Sequence, residues 1–137
     1  MTGPAELESL WREAVAVMER AYAPYSGFRV GAVLAGADGS MHLGCNVESS
    51  AYPAGMCAER GALAVAVARG VRSFHLLMIA TEAHDPTPPC GMCRQALVEF
   101  APGLRVVSRT RGGSAAEWTL AELLPHPFTP RSLEHRA

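Results

Sequence analysis

Two short segments, Cys57-Ala58-Glu59 and Pro89-Cys90-Gly91-Met92-Cys93, restrict the possible folds more than any other feature of this chain. Each opens a run of helix formers: Cys57 to Arg69, stopped by Gly70, and Cys90 to Phe100. Three thiols at two helix starts can serve one metal ion only if the chain brings those starts together. Between them lie a short apolar run, Phe74 to Thr81, and a loop carrying Pro86, Pro88 and Pro89. If the strand before Cys57, the Cys57 helix and the Phe74 strand form one right-handed crossover, both helices begin at the same edge of a sheet and Cys57 meets Cys90.

The rest of the chain supplies that sheet. From Glu6 to Ala21 the apolar residues Leu7, Leu10, Trp11, Ala14, Val15, Met18 and Ala21 recur three and four apart, predicting an amphipathic helix over 5–22. Pro24, Ser26 and Gly27 end it, and Phe28 to Ala35 with Ser40 to Val47 read as a hairpin turned by Ala37-Asp38-Gly39. Leu104 to Ser108 reads as a further strand, Arg111 to Ser114 as a turn and Leu120 to Leu124 as a short helix before Pro125, Pro127 and Pro130. Helix, hairpin, helix, strand, helix, strand predicts a three-layer α/β domain with a mixed sheet. A length of 137 residues suits a single domain over 1–137, with a core at 23–124 and a tail at 125–137.

Charge and composition exclude several function classes. Net charge is -1 and the basic residues are scattered, so no footprint for nucleic acid exists. All 12 basic residues are arginine, which removes Schiff-base and phosphate-loop lysine chemistry. The longest clean apolar run, Ala62 to Ala68, is far short of the roughly 20 residues of a membrane span. Glu6, Glu8, Arg12 and Glu13 interrupt any secretory signal, and a cytoplasmic location is expected. In that setting Cys45, Cys57, Cys90 and Cys93 are read as metal ligands or reactive thiols before disulfides.

Cys57, Cys90 and Cys93 can give one zinc three sulfurs and leave its fourth tetrahedral position open to water, the mark of a catalytic site. Helix starts favour thiolates. Glu59, two residues after a ligand, is then suited to take a proton from that water and return it to a substrate. Cys-x-x-Cys by itself is shared with redox motifs and structural zinc knuckles. A closed structural site completed by Cys45, His75 or His84 leaves Glu59 without a role, and a redox reading leaves both Cys57 and Glu59 unexplained. Cys45 is otherwise a small buried apolar residue.

The pairing of Cys-x-Glu with Pro-Cys-x-x-Cys resembles the signature of zinc nucleoside and nucleobase deaminases. Together with Ala23-Pro24-Tyr25-Ser26-Gly27-Phe28, Gly44-Cys45-Asn46-Val47-Glu48, Arg60, Arg94-Gln95 and Leu123-Leu124-Pro125, it makes the chain similar to the small homotetrameric cytidine deaminases from roughly Tyr22 to Phe128. The resemblance implies an α/β/α fold with a mixed sheet of about five strands, one more than the runs above mark. It also implies zinc-dependent hydrolysis of cytidine or deoxycytidine to uridine or deoxyuridine plus ammonia, in pyrimidine salvage. On it, Cys57, Cys90 and Cys93 hold zinc, Glu59 is the acid and base, and Arg60 offsets the charge of three thiolates. Phe28 lines the pyrimidine pocket, the Ala58 N–H meets the base O2, and Asn46 with Glu48 holds the ribose 3′-hydroxyl. Tyr52 and Phe128 reach a neighbouring subunit's pocket in a homotetramer.

Departures fall at Ser50, at Gly61 after Arg60 and in the Pro127-Phe128-Thr129 tail; they bear chiefly on how Phe128 is presented and leave the metal chemistry untouched. Without the resemblance, Asn46 reads as a strand-end or turn residue, and Phe28, Tyr52, Phe128, Trp11 and Trp118 as core or interface aromatics. His42, His126 and His135 read as surface residues, and Arg94 as either a brace for the site or a surface arginine. Two other functions share the zinc motif: a blasticidin S-type aminonucleoside deaminase, against which Asn46, Glu48 and Phe28 argue, and a non-catalytic zinc-binding module.

Overall fold

The computed structural model describes residues 3–134. Its strands are β1 (Val30–Gly36), β2 (Met41–Cys45), β3 (Phe74–Thr81), β4 (Arg105–Thr110) and β5 (Ala115–Thr119), in the order β2-β1-β3-β4-β5. β1 lies antiparallel to β2 and β3, β3 and β4 run parallel, and β5 returns antiparallel to β4. The helices are α1 (Pro4–Met18), α2 (Ala58–Ala68), α3 (Gly91–Val98) and the one-turn α4 (Leu120–Leu123). The result is a three-layer α/β fold. Among the described residues no helix is long and apolar enough to cross a membrane.

Alternate residues of the central strands feed two cores. Leu77 and Ile79 of β3 join Ala32 and Leu34 of β1 under Ala58, Ala62, Leu63 and Ala66 of α2 and Leu97 of α3. Leu76, Met78 and Ala80 point the other way, with Val33 and Ala35, onto Leu10, Ala14 and Met18 of α1. Burial on both faces is why Leu76 to Ala80 of β3 read as an unbroken apolar run instead of an alternating one.

This topology determines where the cysteines go. β1 is antiparallel to both its neighbours, so β2, β3 and β4 share one direction. α2 follows β2 and α3 follows β3. Both helices therefore start beyond the carboxyl end of a strand, on one side of the sheet, where open α/β sheets bind ligands.

Gly44 allows α2 to sit so close. A Cβ there would stand 2.3 Å from the Ala58 carbonyl oxygen and 2.4 Å from the Ala62 nitrogen. Gly44→Ala must push the first turn of α2 off β2, and we expect a loss of at least about 1–3 kcal/mol, the range for an overpacked core. Denaturant unfolding with metal analysis checks this: reduced stability and reduced zinc together are expected, and an unaltered protein contradicts the close-contact account.

Several boundaries differ from the sequence reading. α1 ends at Met18 instead of residue 22, because the Tyr22 N–H donates to the Asn46 carbonyl and the Glu48 N–H donates to the Tyr22 carbonyl, drawing Tyr22 beside Val47. β1 begins at Val30 instead of Phe28, after Gly27 takes a left-handed φ of 69°. β5 carries no apolar run of its own. It is an edge strand of alternating exposure, held by backbone pairing and by the ion pair of Glu117 with Arg105. His42 is a correction: it is 1% exposed, on the face of β2 that α2 covers. Its Nε2 lies 2.8 Å from Ser40 Oγ and its Nδ1 lies 3.3 Å from Arg69 Nη1, so both ring nitrogens are satisfied. His126 is exposed, and His135 lies outside the described residues.

Candidate functional site

Cys57 and Cys90 are the N-cap residues of α2 and α3, both with extended backbone (ψ 153° and 167°) and neither capping its helix through a side-chain hydrogen bond. Their thiols are thus free to face each other across the two helix starts. Cys93 lies in the first turn of α3 and is buried. Cys57 Sγ is 3.7 Å from Cys90 Sγ, Cys90 Sγ is 3.5 Å from Cys93 Sγ, and all three sulfurs lie within 4.8 Å of one another. Tetrahedral zinc with bonds of about 2.3 Å separates its sulfurs by about 3.8 Å. The trio therefore fits zinc in both donor type and spacing. All four cysteines are free thiols, and among the described residues neither Cys45, His75 nor His84 joins the group. His75 Nε2 instead lies 3.2 Å from Glu6, and His84 Nδ1 3.2 Å from Asp85.

The surroundings act on the three thiols unequally. Burial raises Cys93 strongly, and the nearby Glu59 and Cys57 add to that. Burial also raises Cys57, against the hydrogen bond that Arg60 Nη2 donates to its sulfur at 3.8 Å. At Cys90 desolvation is overcome by the backbone N–H of Cys93, the Cys93 and Cys57 thiols and the Met92 N–H, and the pKa falls. Three thiolates packed this closely need a cation to hold them. Glu59, in the first turn of α2, is only 6% exposed. Burial pushes its carboxyl up from the ordinary range, against its own backbone N–H and the Arg60 charge, and so suits it to hold a proton.

Asn46 and Glu48 organise the loop ahead of β1. Asn46 Oδ1 accepts from the Val30 N–H at 2.8 Å, and its Nδ2 donates to the Phe28 carbonyl at 2.7 Å. Glu48 Oε1 accepts from the N–H groups of Tyr25 and Ser26 at 2.9 and 3.1 Å, and Oε2 accepts from the Ser26 hydroxyl. That hydroxyl is the main reason the Glu48 carboxyl sits below the usual range. Neither loop contact was legible in the spacing of the two residues.

A cavity of about 360 Å³ opens beside this loop, lined by Tyr25, Ser26, Glu48, Ser49, Tyr52 and Gly55. It shares Glu48, Tyr52 and Gly55 with a second of about 450 Å³ that reaches Asn46, Cys57 and Arg60. Phe28 is 39% exposed, and the buried Ala58 begins α2, where backbone N–H groups lack helical partners. Tyr52 and Phe128 are 75% and 59% exposed. Tyr52 lines both cavities, whereas Phe128 lines neither. Two side chains to which the sequence reading gave no settled role bind the chain around the thiols. Arg94 donates to the carbonyls of Pro89 and Leu123, and Gln95 donates to that of Phe128.

Residues 4–109 match the family model described as the cytidine and deoxycytidylate deaminase zinc-binding region. A cytidine deaminase from Sporosarcina psychrophila is 44% identical over 133 residues, covering 96% of this chain and 98% of that protein. One from Halalkalibacterium halodurans is 39% identical over 127 residues, covering 92% and 96%. The crystal structure of a cytidine deaminase from Burkholderia pseudomallei superposes with a TM-score of 0.86 at 42% identity, covering 93% of this chain and all of the other.

Proposed function

The chain belongs to the cytidine and deoxycytidylate deaminase zinc-binding family, and on that premise we propose that it hydrolyses cytidine and deoxycytidine to uridine and deoxyuridine with release of ammonia. One observation carries the reading: a buried carboxyl, Glu59, stands in the same helix turn that opens with Cys57, next to a three-sulfur metal site. A closed structural site has no use for such a carboxyl.

Cys57, Cys90 and Cys93 hold the metal, and zinc bound there supplies a Lewis acid that makes water acidic near neutral pH. Glu59 accepts the proton of the attacking water and delivers it to N3 of the cytosine ring. As C4 becomes tetrahedral and collapses, Glu59 moves the remaining proton of the added hydroxyl to the amino nitrogen, which departs as ammonia while the oxygen stays on C4 as a carbonyl. The N–H of Ala58 holds the base O2, and the Phe28 ring covers the pyrimidine. Arg60, on the Cys57 sulfur, offsets the negative charge of the thiolates.

Asn46 and Glu48 recognise the ribose 3′-hydroxyl. Asn46 has one Nδ2 hydrogen and one Oδ1 lone pair beyond the bonds it makes to Phe28 and Val30, and the low pKa of Glu48 keeps it an acceptor. Their contacts with the 23–28 loop hold both groups still before substrate arrives. A free base leaves them without the sugar, so a nucleoside is preferred. The exposure of Tyr52, Met92 and Phe128 accords with a homotetramer whose subunits complete one another's pockets. Four free cysteines suit a reducing cytoplasm, where conversion of cytidine to uridine would serve pyrimidine salvage.

Loss of the cytidine absorbance band on incubation with the zinc-loaded protein, with ammonia released in equal amount, is the expected result. Faster turnover of blasticidin S than of cytidine would instead mark an aminonucleoside-antibiotic deaminase. Zinc retained with neither substrate consumed would reduce the chain to a binding module.

A further inference from the structure

Three consecutive residues of α3, Cys93, Arg94 and Gln95, face three different tasks. Cys93 is a metal ligand on the reading above, on which this inference rests. Arg94 Nε donates to the Pro89 carbonyl at 2.8 Å, and that carbonyl belongs to the peptide whose nitrogen is that of Cys90. Arg94 Nη1 donates to the carbonyl of Leu123, also at 2.8 Å. Leu123 is the last residue of α4, where a helix-end carbonyl lacks a partner within its own helix. Gln95 Nε2 donates to the Phe128 carbonyl at 2.7 Å, five residues further along the tail. A guanidinium is a rigid planar fork, so the two carbonyls it binds are held at a set separation and angle.

We propose that Arg94 is a positioning residue that ties the loop bearing Cys90 to the root of the tail bearing Phe128. It acts through the Pro89–Cys90 peptide, fixing the direction from which the Cys90 sulfur reaches the metal, and through Leu123, fixing where the tail leaves the domain. Gln95 then holds the tail at Phe128 itself. Metal retention and tail placement are coupled through one side chain, and only the tail is Gln95's concern. Lysine offers a single compact ammonium and cannot bridge both carbonyls in this way.

The test uses the zinc-loaded holoenzyme and compares wild type with Arg94→Ala, Arg94→Lys and Gln95→Ala. Zinc release into a chromogenic chelator is measured beside kcat and KM for cytidine. Arg94→Ala should release zinc roughly 10- to 100-fold faster, the scale for losing a partner that orients a ligand, and should also raise KM. Arg94→Lys should fall between it and wild type on release. Gln95→Ala should release zinc as wild type does and raise KM alone. Zinc release from Arg94→Ala at the wild-type rate overturns the proposal. If that variant does not fold, wild-type release from Arg94→Lys overturns it equally. A wild-type protein that holds no zinc would instead sink the metal reading on which the proposal depends.

Discussion

Glu59→Gln is expected to keep the zinc content and thermal midpoint of the wild-type protein while lowering kcat for cytidine by roughly 10²- to 10⁴-fold, the range of a positioned acid and base. Glutamine has the shape of glutamate and fills the same buried space in the first turn of α2, so the fold has little reason to respond. What disappears is a group that can be protonated. Burial already pushes the Glu59 carboxyl above its ordinary range, and a carboxyl raised in this way exchanges protons with a ring nitrogen far more readily than a solvated one. The effect should fall on kcat and kcat/KM alike, because the proton is in motion only in the transition state. An unchanged kcat at full zinc content would remove Glu59 from the chemistry and leave the three-sulfur site without a catalytic partner.

Cys93→Ala is expected to abolish both metal binding and turnover. Cys93 is the most enclosed of the three thiols, and its sulfur stands 3.5 Å from that of Cys90. Alanine fits the same space, so the loss is one of ligation and not of packing. Two sulfurs cannot hold zinc in a tetrahedral site against competing chelators, and affinity should fall by more than the roughly 10–100-fold that removal of an outer hydrogen-bond partner brings. Stability should drop with it. A protein that binds zinc only when folded gains about 2.7 kcal/mol when free metal exceeds its dissociation constant a hundredfold, and the variant forfeits that gain. Dialysis against a weak chelator, elemental analysis and thermal unfolding provide the readout. Cys45→Ala is the matched control, because Cys45 stands outside the cluster, and it should keep its zinc.

The metal centre was legible because its information is local. Each ligand segment carries its own helix start, and the strand and proline loop between them force two crossovers in one direction. β5 was not legible from composition, because Ala115-Ala116-Glu117-Trp118-Thr119 has no apolar run and becomes a strand only through its pairing with β4. His42 was misread for a related reason. Which residues of β2 face α2 depends on the register of the hairpin, and a shift by one residue would have turned His42 to the opposite face. Its partner Arg69 sits at the far end of α2, beyond the reach of any sequence pattern. Asn46 and Glu48 showed a different limit. Their spacing suggests polar recognition, but both also bind the 23–28 loop, a second use that depends on how that loop folds back over them. For Arg94 the sequence allows both a brace and a surface residue, and its bonds to the carbonyls of Pro89 and Leu123 make it a brace.

Zinc-edge X-ray absorption on the protein as purified tests the central claim most directly. Three sulfur neighbours at about 2.3 Å and one oxygen at about 2.0–2.2 Å are the predicted shell, with one zinc per chain. A shell of four sulfurs, or a metal-free protein in which two of Cys57, Cys90 and Cys93 are joined in a disulfide, would contradict it.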